Sequence, residues 1–205
     1  MLPRARYEAL IDEALGDPEA EATLYRELAQ PAAVLIAGFL GSRHRAHADG
    51  PIYAAALARA AADALTGALA EPPLMARPLR DGLLLAFSSP TQALFAAMDG
   101  LVALAALNAE RTGRIGDGSR RDPALVGIGL GFGEVILTPE PDVLGAEADA
   151  AFHLAGAAEP GEILASDGFV AALGPPPSGV GAHRGRADRA HRVGMNFAVL
   201  RDYRA

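Results

Sequence analysis

Asp142-Val143-Leu144-Gly145-Ala146-Glu147-Ala148-Asp149-Ala150-Ala151-Phe152-His153-Leu154, followed by Ala158-Glu159-Pro160-Gly161-Glu162-Ile163-Leu164, reads as a turn, a helix of small residues and a short strand. Pro141 and Asp142 open the turn, and the Ala-rich run from Ala146 to Ala158 predicts a helix able to pack closely on its support. Glu159-Pro160-Gly161 then breaks the helix and turns the chain into the strand Glu162-Ile163-Leu164-Ala165.

Working back from that stretch, Ala124 to Leu130 and Phe132 to Thr138 predict two strands meeting near Gly131. The glycines at 127, 129, 131 and 133 do not satisfy G-x-G-x-x-G, which excludes a dinucleotide fingerprint; they suit close sheet packing and a tight turn. Before them, Ser88-Ser89-Pro90-Thr91 caps a long helix to about Arg111, followed by a polar loop from Thr112 to Asp122. Leu74 to Arg80 and Leu83 to Phe87 flank Asp81-Gly82, a two-residue hairpin signal. Pro51 to Leu69 is helical, and Ala32 to Leu40 is a continuous apolar run that predicts a buried strand. Residues 4 to 29 predict two short helices divided by Gly16-Asp17-Pro18.

Downstream, Ser166 to Leu173 predicts a further helical turn or two, Gly174 to Gly185 a Pro/Gly-rich loop, and Val193 to Leu200 a final strand. The order β-α-β-β-α-β-β-α-β-α-β predicts an α+β fold with a mixed sheet and helices on one side. The expected division is an N-terminal helical extension over residues 1–30 and one domain over 31–205, the latter carrying a Pro/Gly-rich and Arg-rich loop at 174–192.

Composition narrows the function. The 205 residues are 51% hydrophobic and 21% charged, enough to bury one core. Only 5% are aromatic and Trp is absent, which disfavours a stacked-base binder. The net charge of −7, with every cation an Arg, makes a nucleic-acid partner an unsuitable expectation. Without Cys there is no disulfide, thiolate nucleophile or iron–sulfur site, and with no export signal visible the expectation is a cytoplasmic protein. The most apolar helical stretch, Ala96 to Ala109, is broken by Asp99 and Asn108 and is shorter than a membrane span requires. No G-x-S-x-G, H-E-x-x-H or Walker-type loop occurs. His44, His47 and Asp49 form a His-x-x-His-x-Asp cluster able to hold a metal on one helical turn, although the spacing matches no strong signature. Arg184, Arg186, Arg189 and Arg192 with Asp188 give a local charge of +3, suited to a solvated loop or to contact with a phosphate or acidic partner.

Four blocks, in order, resemble the class III adenylate/guanylate cyclase homology domain over roughly residues 30–173. They are Val34-Leu35-Ile36-Ala37-Gly38-Phe39-Leu40-Gly41-Ser42-Arg43, Arg77-Pro78-Leu79-Arg80-Asp81-Gly82-Leu83-Leu84-Leu85-Ala86-Phe87, Val126 to Leu137, and the stretch quoted first. The resemblance implies a ferredoxin-like, nucleotide cyclase-like sheet, mixed or antiparallel, with helices packed on it. It also implies attack of a ribose 3′-oxygen on the α-phosphate of a nucleoside triphosphate, assisted by two metal ions held by two carboxylates. In that family an Asn orients the ribose and an Arg stabilises the transition state, both from the partner protomer, while a Lys and an Asp read the base.

This chain keeps Asp81 as a metal position and Asp142 as a base position, and has Arg77 where Lys is expected. Gly38, Asp149 and His153 stand at the other three positions. Gly38 cannot ligate a metal. Asp149 adds negative charge near a polyphosphate, unfavourable by a few kcal/mol at short range. His153 lacks the planar fork of an Arg whose role in phosphoryl transfer is worth roughly 10³–10⁵ in rate. The implied protein is a catalytically deficient, dimeric regulatory or nucleotide-sensing module, pairing with itself or with another cyclase-like chain and taking a purine nucleotide with Mg or Mn. The alternatives are a weak cyclase with Glu147 or Asp149 as substitute ligand, and a protein-interaction scaffold. Each residue also has a plainer reading: Asp81 as turn chemistry, Arg77 as a solvated or ion-paired strand residue, Asp142 as a turn opener, and His153 as a partly buried neutral side chain.

Overall fold

A computed structural model describes residues 3–113, 122–185 and 195–202. The chain begins with α1 (Arg4–Ala14) and α2 (Pro18–Leu28), separated by Gly16 at φ +85°. Asp17 caps α2 by accepting from the backbone N–H of Glu19 and Ala20, and Pro18 occupies the first helical position, where no donor is needed.

Then follow β1 (Gln30–Phe39), α3 (Ser42–Ala48), α4 (Pro51–Gly67), β2 (Met75–Leu79), β3 (Gly82–Phe87), α5 (Pro90–Gly113) and β4 (Val126–Leu137). After them come β5 (Val143–Leu144), α6 (Ala146–Ala157), β6 (Ile163–Ala165), α7 (Asp167–Leu173), β7 (Val180–Arg184) and β8 (Ala198–Asp202). The sheet order is β2-β3-β1-β4-β6-β8-β7, antiparallel except for the parallel pair β4–β6. The first four core strands in the order β2-β3-β1-β4 give the ferredoxin-like arrangement, so the fold is α+β with a mixed sheet.

Both faces of the sheet are covered, where the sequence predicted helices on one side. The reason lies in β1 and β3, whose apolar runs leave no polar face to meet water. Ala33, Leu35 and Ala37 pack with Leu83 and Leu85 under α4 and α5, which supply Leu57, Ala61, Leu94 and Met98. Ala32, Val34 and Ile36 pack with Leu84, Ala86 and Met75 under α6, which supplies Ala148, Ala151 and Ala155.

Three local expectations are corrected. The two strands predicted about Gly131 are one continuous strand, β4, because its alternating glycines serve close approach and not a turn. A Cβ at Gly127 would lie 2.8 Å from the Ala158 Cβ, and one at Gly129 would strike the backbone of Ala151 and Ala155, so α6 rests directly on a glycine groove. The two-residue hairpin loop is Arg80-Asp81 and not Asp81-Gly82, since Leu79 pairs with Gly82. Gly82 is required because a Cβ there would lie 2.6 Å from the Ala37 carbonyl oxygen. The expected loop 174–185 contains the edge strand β7, paired with β8.

Residues Arg186, Asp188, Arg189 and Arg192 lie outside the described residues, as do 114–121 of the polar loop. Arg184 is exposed on β7. The helix α5 is 24 residues long and ends two residues beyond the predicted end near Arg111. Among the described residues it is the one helix long and apolar enough to cross a membrane by length and composition, yet Ala93, Leu94, Ala97 and Met98 on it are buried in the core.

Candidate active-site region

The structure sorts the six candidate positions into three places. The first is the tip of the β2–β3 hairpin. Gly38 near the end of β1 sits level with Gly82 on β3 and Gly127 on β4, so three glycines cross the sheet where a metal carboxylate is implied. The adjoining Phe39 N–H donates to the Asp81 carbonyl at 2.8 Å, which fixes the hairpin tip beside the end of β1. The Asp81 side chain is exposed. A Cβ at position 38 would meet the Ala155 carbonyl oxygen at 3.5 Å, an ordinary contact, so space does not demand glycine there. What the substitution removes is the donor.

Among the described residues no three His, Asp or Glu side chains converge on a point that would hold a metal ion. The donor set at the hairpin tip, one exposed carboxylate, does not fit a two-metal centre. Nor do His44, His47 and Asp49 assemble one on α3, where both imidazoles are exposed.

The second place is the pocket on the α6 side of the sheet. Arg77 lies on β2, four positions before Asp81, or roughly 13 Å of extended chain. Its side chain shares a face with Met75, which is buried against the α6 layer. Asp142 reaches it from the segment that follows β4: Thr138 N–H donates to the Asp142 carbonyl at 3.0 Å, and the Val143 N–H donates to Asp142 Oδ1 at 3.0 Å. The other carboxylate oxygen, Oδ2, lies 2.5 Å from Arg77 Nη1. Asp142 is therefore both the turn residue and the partner of Arg77. The two line a cavity of about 570 Å³ with Arg4, Tyr7, Glu8 and Leu144 among the other wall residues.

Sequence reasoning missed the contribution of α1 to that wall. Arg4 Nη1 reaches Glu140 Oε1 at 2.6 Å while Arg4 Nε donates to Glu8 Oε1 at 2.7 Å. Burial first, and then the negative charge of Asp142, raise the Tyr7 phenol above its ordinary pKa. No signal in the sequence links residues 4–8 to residues 138–142.

The third place is the outer face of α6, where Asp149 and His153 stand one turn apart, both exposed, with Phe152 beside them 40% exposed. His153 is thus exposed, where the plainer reading had it partly buried. Glu147, the other substitute ligand considered, is turned the opposite way. Its Oε2 accepts from the Phe132 N–H at 3.2 Å and from Ser166 Oγ at 2.6 Å, and Ser166 Oγ in turn caps α7 by accepting from the Phe169 N–H at 3.1 Å. Its carboxylate ties α6 to β4 and α7 and is committed to the scaffold.

With this geometry the solved structures can be compared. The guanylyl cyclase Cya2 superposes with a TM-score of 0.56 at 20% identity, over 85% of this chain and 91% of its own. The catalytic core of a rhodopsin-guanylyl cyclase with converted specificity, in complex with ATPαS, gives 0.64 at 12% identity over 85% and 97%. A non-canonical dimeric guanylyl cyclase domain of the RhoGC fusion protein from the aquatic fungus Blastocladiella emersonii gives 0.62 at 12% over 85% and 95%. No protein-family model and no curated protein matches the sequence. The chain has the fold of the class III adenylyl/guanylyl cyclase homology domain.

Proposed function

We propose that this chain is a cyclase-fold regulatory module that binds a purine nucleotide at the Arg77–Asp142 pocket and does not cyclise it. The observation that carries the reading is the separation of the two ends of the site. At the pocket, a cation and a carboxylate stand side by side on a cavity of about 570 Å³, large enough for a nucleobase. An Asp accepts from an amino or imino N–H of a base edge and an Arg donates to a ring nitrogen or carbonyl. At the hairpin tip, Asp81 has no carboxylate partner from position 38, and Asp149 and His153 replace an amide and a guanidinium.

Chemically, the chain can bind and orient but lacks the groups that stabilise the charge developing on the phosphate. No step through a metal follows from the residues present. Asp149 and His153 lie on the exposed face of α6, away from the pocket wall, so a second copy or another cyclase-like chain completes the cleft in this reading. The dimeric domain of the same fold supports that assembly by analogy. The absence of Cys suits a cytoplasmic location.

Turnover tests the reading. Purified protein is incubated with ATP or GTP and Mg²⁺ or Mn²⁺, and cyclic nucleotide is detected by mass spectrometry. No product is expected. Metal-dependent product that Asp81→Ala abolishes overturns the reading in favour of a weak cyclase.

A further inference from the structure

The N-terminal helix α1 has no evident part in the sheet, yet it forms one wall of the Arg77–Asp142 pocket through Arg4, Tyr7 and Glu8. We infer that α1 is a lid seated on one side of this pocket, which swings about Gly16 when a nucleotide enters. The inference rests on the nucleotide reading of the pocket and adds its regulation.

Four observations carry it. First, α1 lines the pocket, and the Arg4–Glu140 pair latches it to the segment that presents Asp142. Second, the polar groups of the pocket are already paired to each other, Arg77 with Asp142 and Arg4 with Glu140 and Glu8. A base that uses Arg77 and Asp142 must displace their ion pair, beside which Tyr7 of α1 stands in the pocket wall. Third, α1 is lightly held: Ala14 is its one buried residue, Tyr7 and Leu10 are half-buried, and the latch side chains are mostly exposed. Exposed pairs of this kind hold weakly and are screened by salt.

Fourth, the neighbouring helix is anchored where α1 is not. In α2, Leu24 is buried and the Tyr25 hydroxyl donates to the Glu134 carbonyl at 2.7 Å. Between the two helices Leu15 is 83% exposed, and Gly16 takes a left-handed φ with open space around its α-carbon. That junction is a ready hinge, since one glycine can absorb a large backbone rotation without steric cost. Opening exposes Tyr7 and releases the pocket while α2 stays on the sheet.

The chain has no Cys, so Arg4→Cys with Glu140→Cys gives one cross-linkable pair in the 205-residue chain. A short bis-methanethiosulfonate reagent locks the latch, and dithiothreitol releases it. Binding of the fluorescent probes mant-ATP and mant-GTP is measured on locked and released samples, together with hydrogen exchange of α1 and α2 on the unmodified chain. The lid predicts that locking weakens probe binding by about tenfold or more, that dithiothreitol restores it, and that α1 amides exchange faster than those of α2. Equal binding by locked and released protein, or exchange of α1 and α2 as one unit, overturns the lid. If α1 exchanges independently and yet no released sample binds either probe, the nucleotide reading itself has failed, and the inference falls with it.

Discussion

Arg77 Nη1 on β2 and Asp142 Oδ2 on the segment leading into β5 stand 2.5 Å apart, each side chain about two-fifths exposed. The pair joins the outermost strand of one sheet edge to a segment that crosses back from the end of β4. Its exposure limits its worth to the fold, to about 1 kcal/mol or less. We expect Arg77→Ala and Asp142→Ala to unfold in urea within about 1 kcal/mol of the parent while losing nucleotide binding. A large loss of stability would make the pair structural.

The glycine groove of β4 predicts opposite results at two glycines of the α6 interface region. Gly129→Ala drives a Cβ into the Ala151 and Ala155 backbone and should cost about 3 kcal/mol or prevent folding. Gly156→Ala lies on the open face of α6 with nothing within 4 Å and should stabilise by about 0.5–1 kcal/mol. Urea midpoints of the two variants check both signs.

Much of this fold was legible in the residues, and what escaped has physical reasons. The apolar run of β1, the Gly16-Asp17-Pro18 break and the Ala146 helix declare themselves through local chemistry. The register of the β2–β3 turn does not, because Asp-Gly imitates a left-handed turn while Gly82 is needed for close approach to Ala37. The unity of β4 was hidden in the same way, since glycines that receive a helix look like glycines that make a turn. The edge strand Val180–Arg184 is only five residues long and follows directly on the Pro/Gly-rich run of residues 174–179, so it shows no periodicity. At the site, the resemblance singled out Arg77 and Asp142, but not their ion pair or the contact of Arg4 with Glu140, which arise only through the tertiary fold.

Glu147 should behave as a scaffold residue. Glu147→Ala leaves the Phe132 N–H and Ser166 hydroxyl without their partner and should cost about 1–3 kcal/mol, read by thermal or urea unfolding. Mn²⁺ affinity, read by water-proton relaxation, should not change. A fall in Mn²⁺ affinity with no loss of stability would return Glu147 to the list of ligands.

Tyr7 gives a pH signature. Its pKa is raised by burial and then by Asp142, above the unfolded value of about 10, so the folded form holds its proton more tightly. This contribution is fully present below pH of about 10 and is lost as pH rises through the folded value. Exchange of α1 amides, corrected for intrinsic rates, should therefore increase above that pH, and Tyr7→Phe should remove the increase while Arg4, Glu8, Arg77, Glu140 and Asp142 remain unchanged.

The most direct test of the central claim is calorimetric titration of the purified chain with ATP, GTP and their 3′,5′-cyclic forms, repeated with Asp142→Ala. Saturable binding of at least one purine nucleotide is expected, abolished by Asp142→Ala, with the ligand recovered unchanged. Binding that survives Asp142→Ala, or no binding of any of the four, would contradict it.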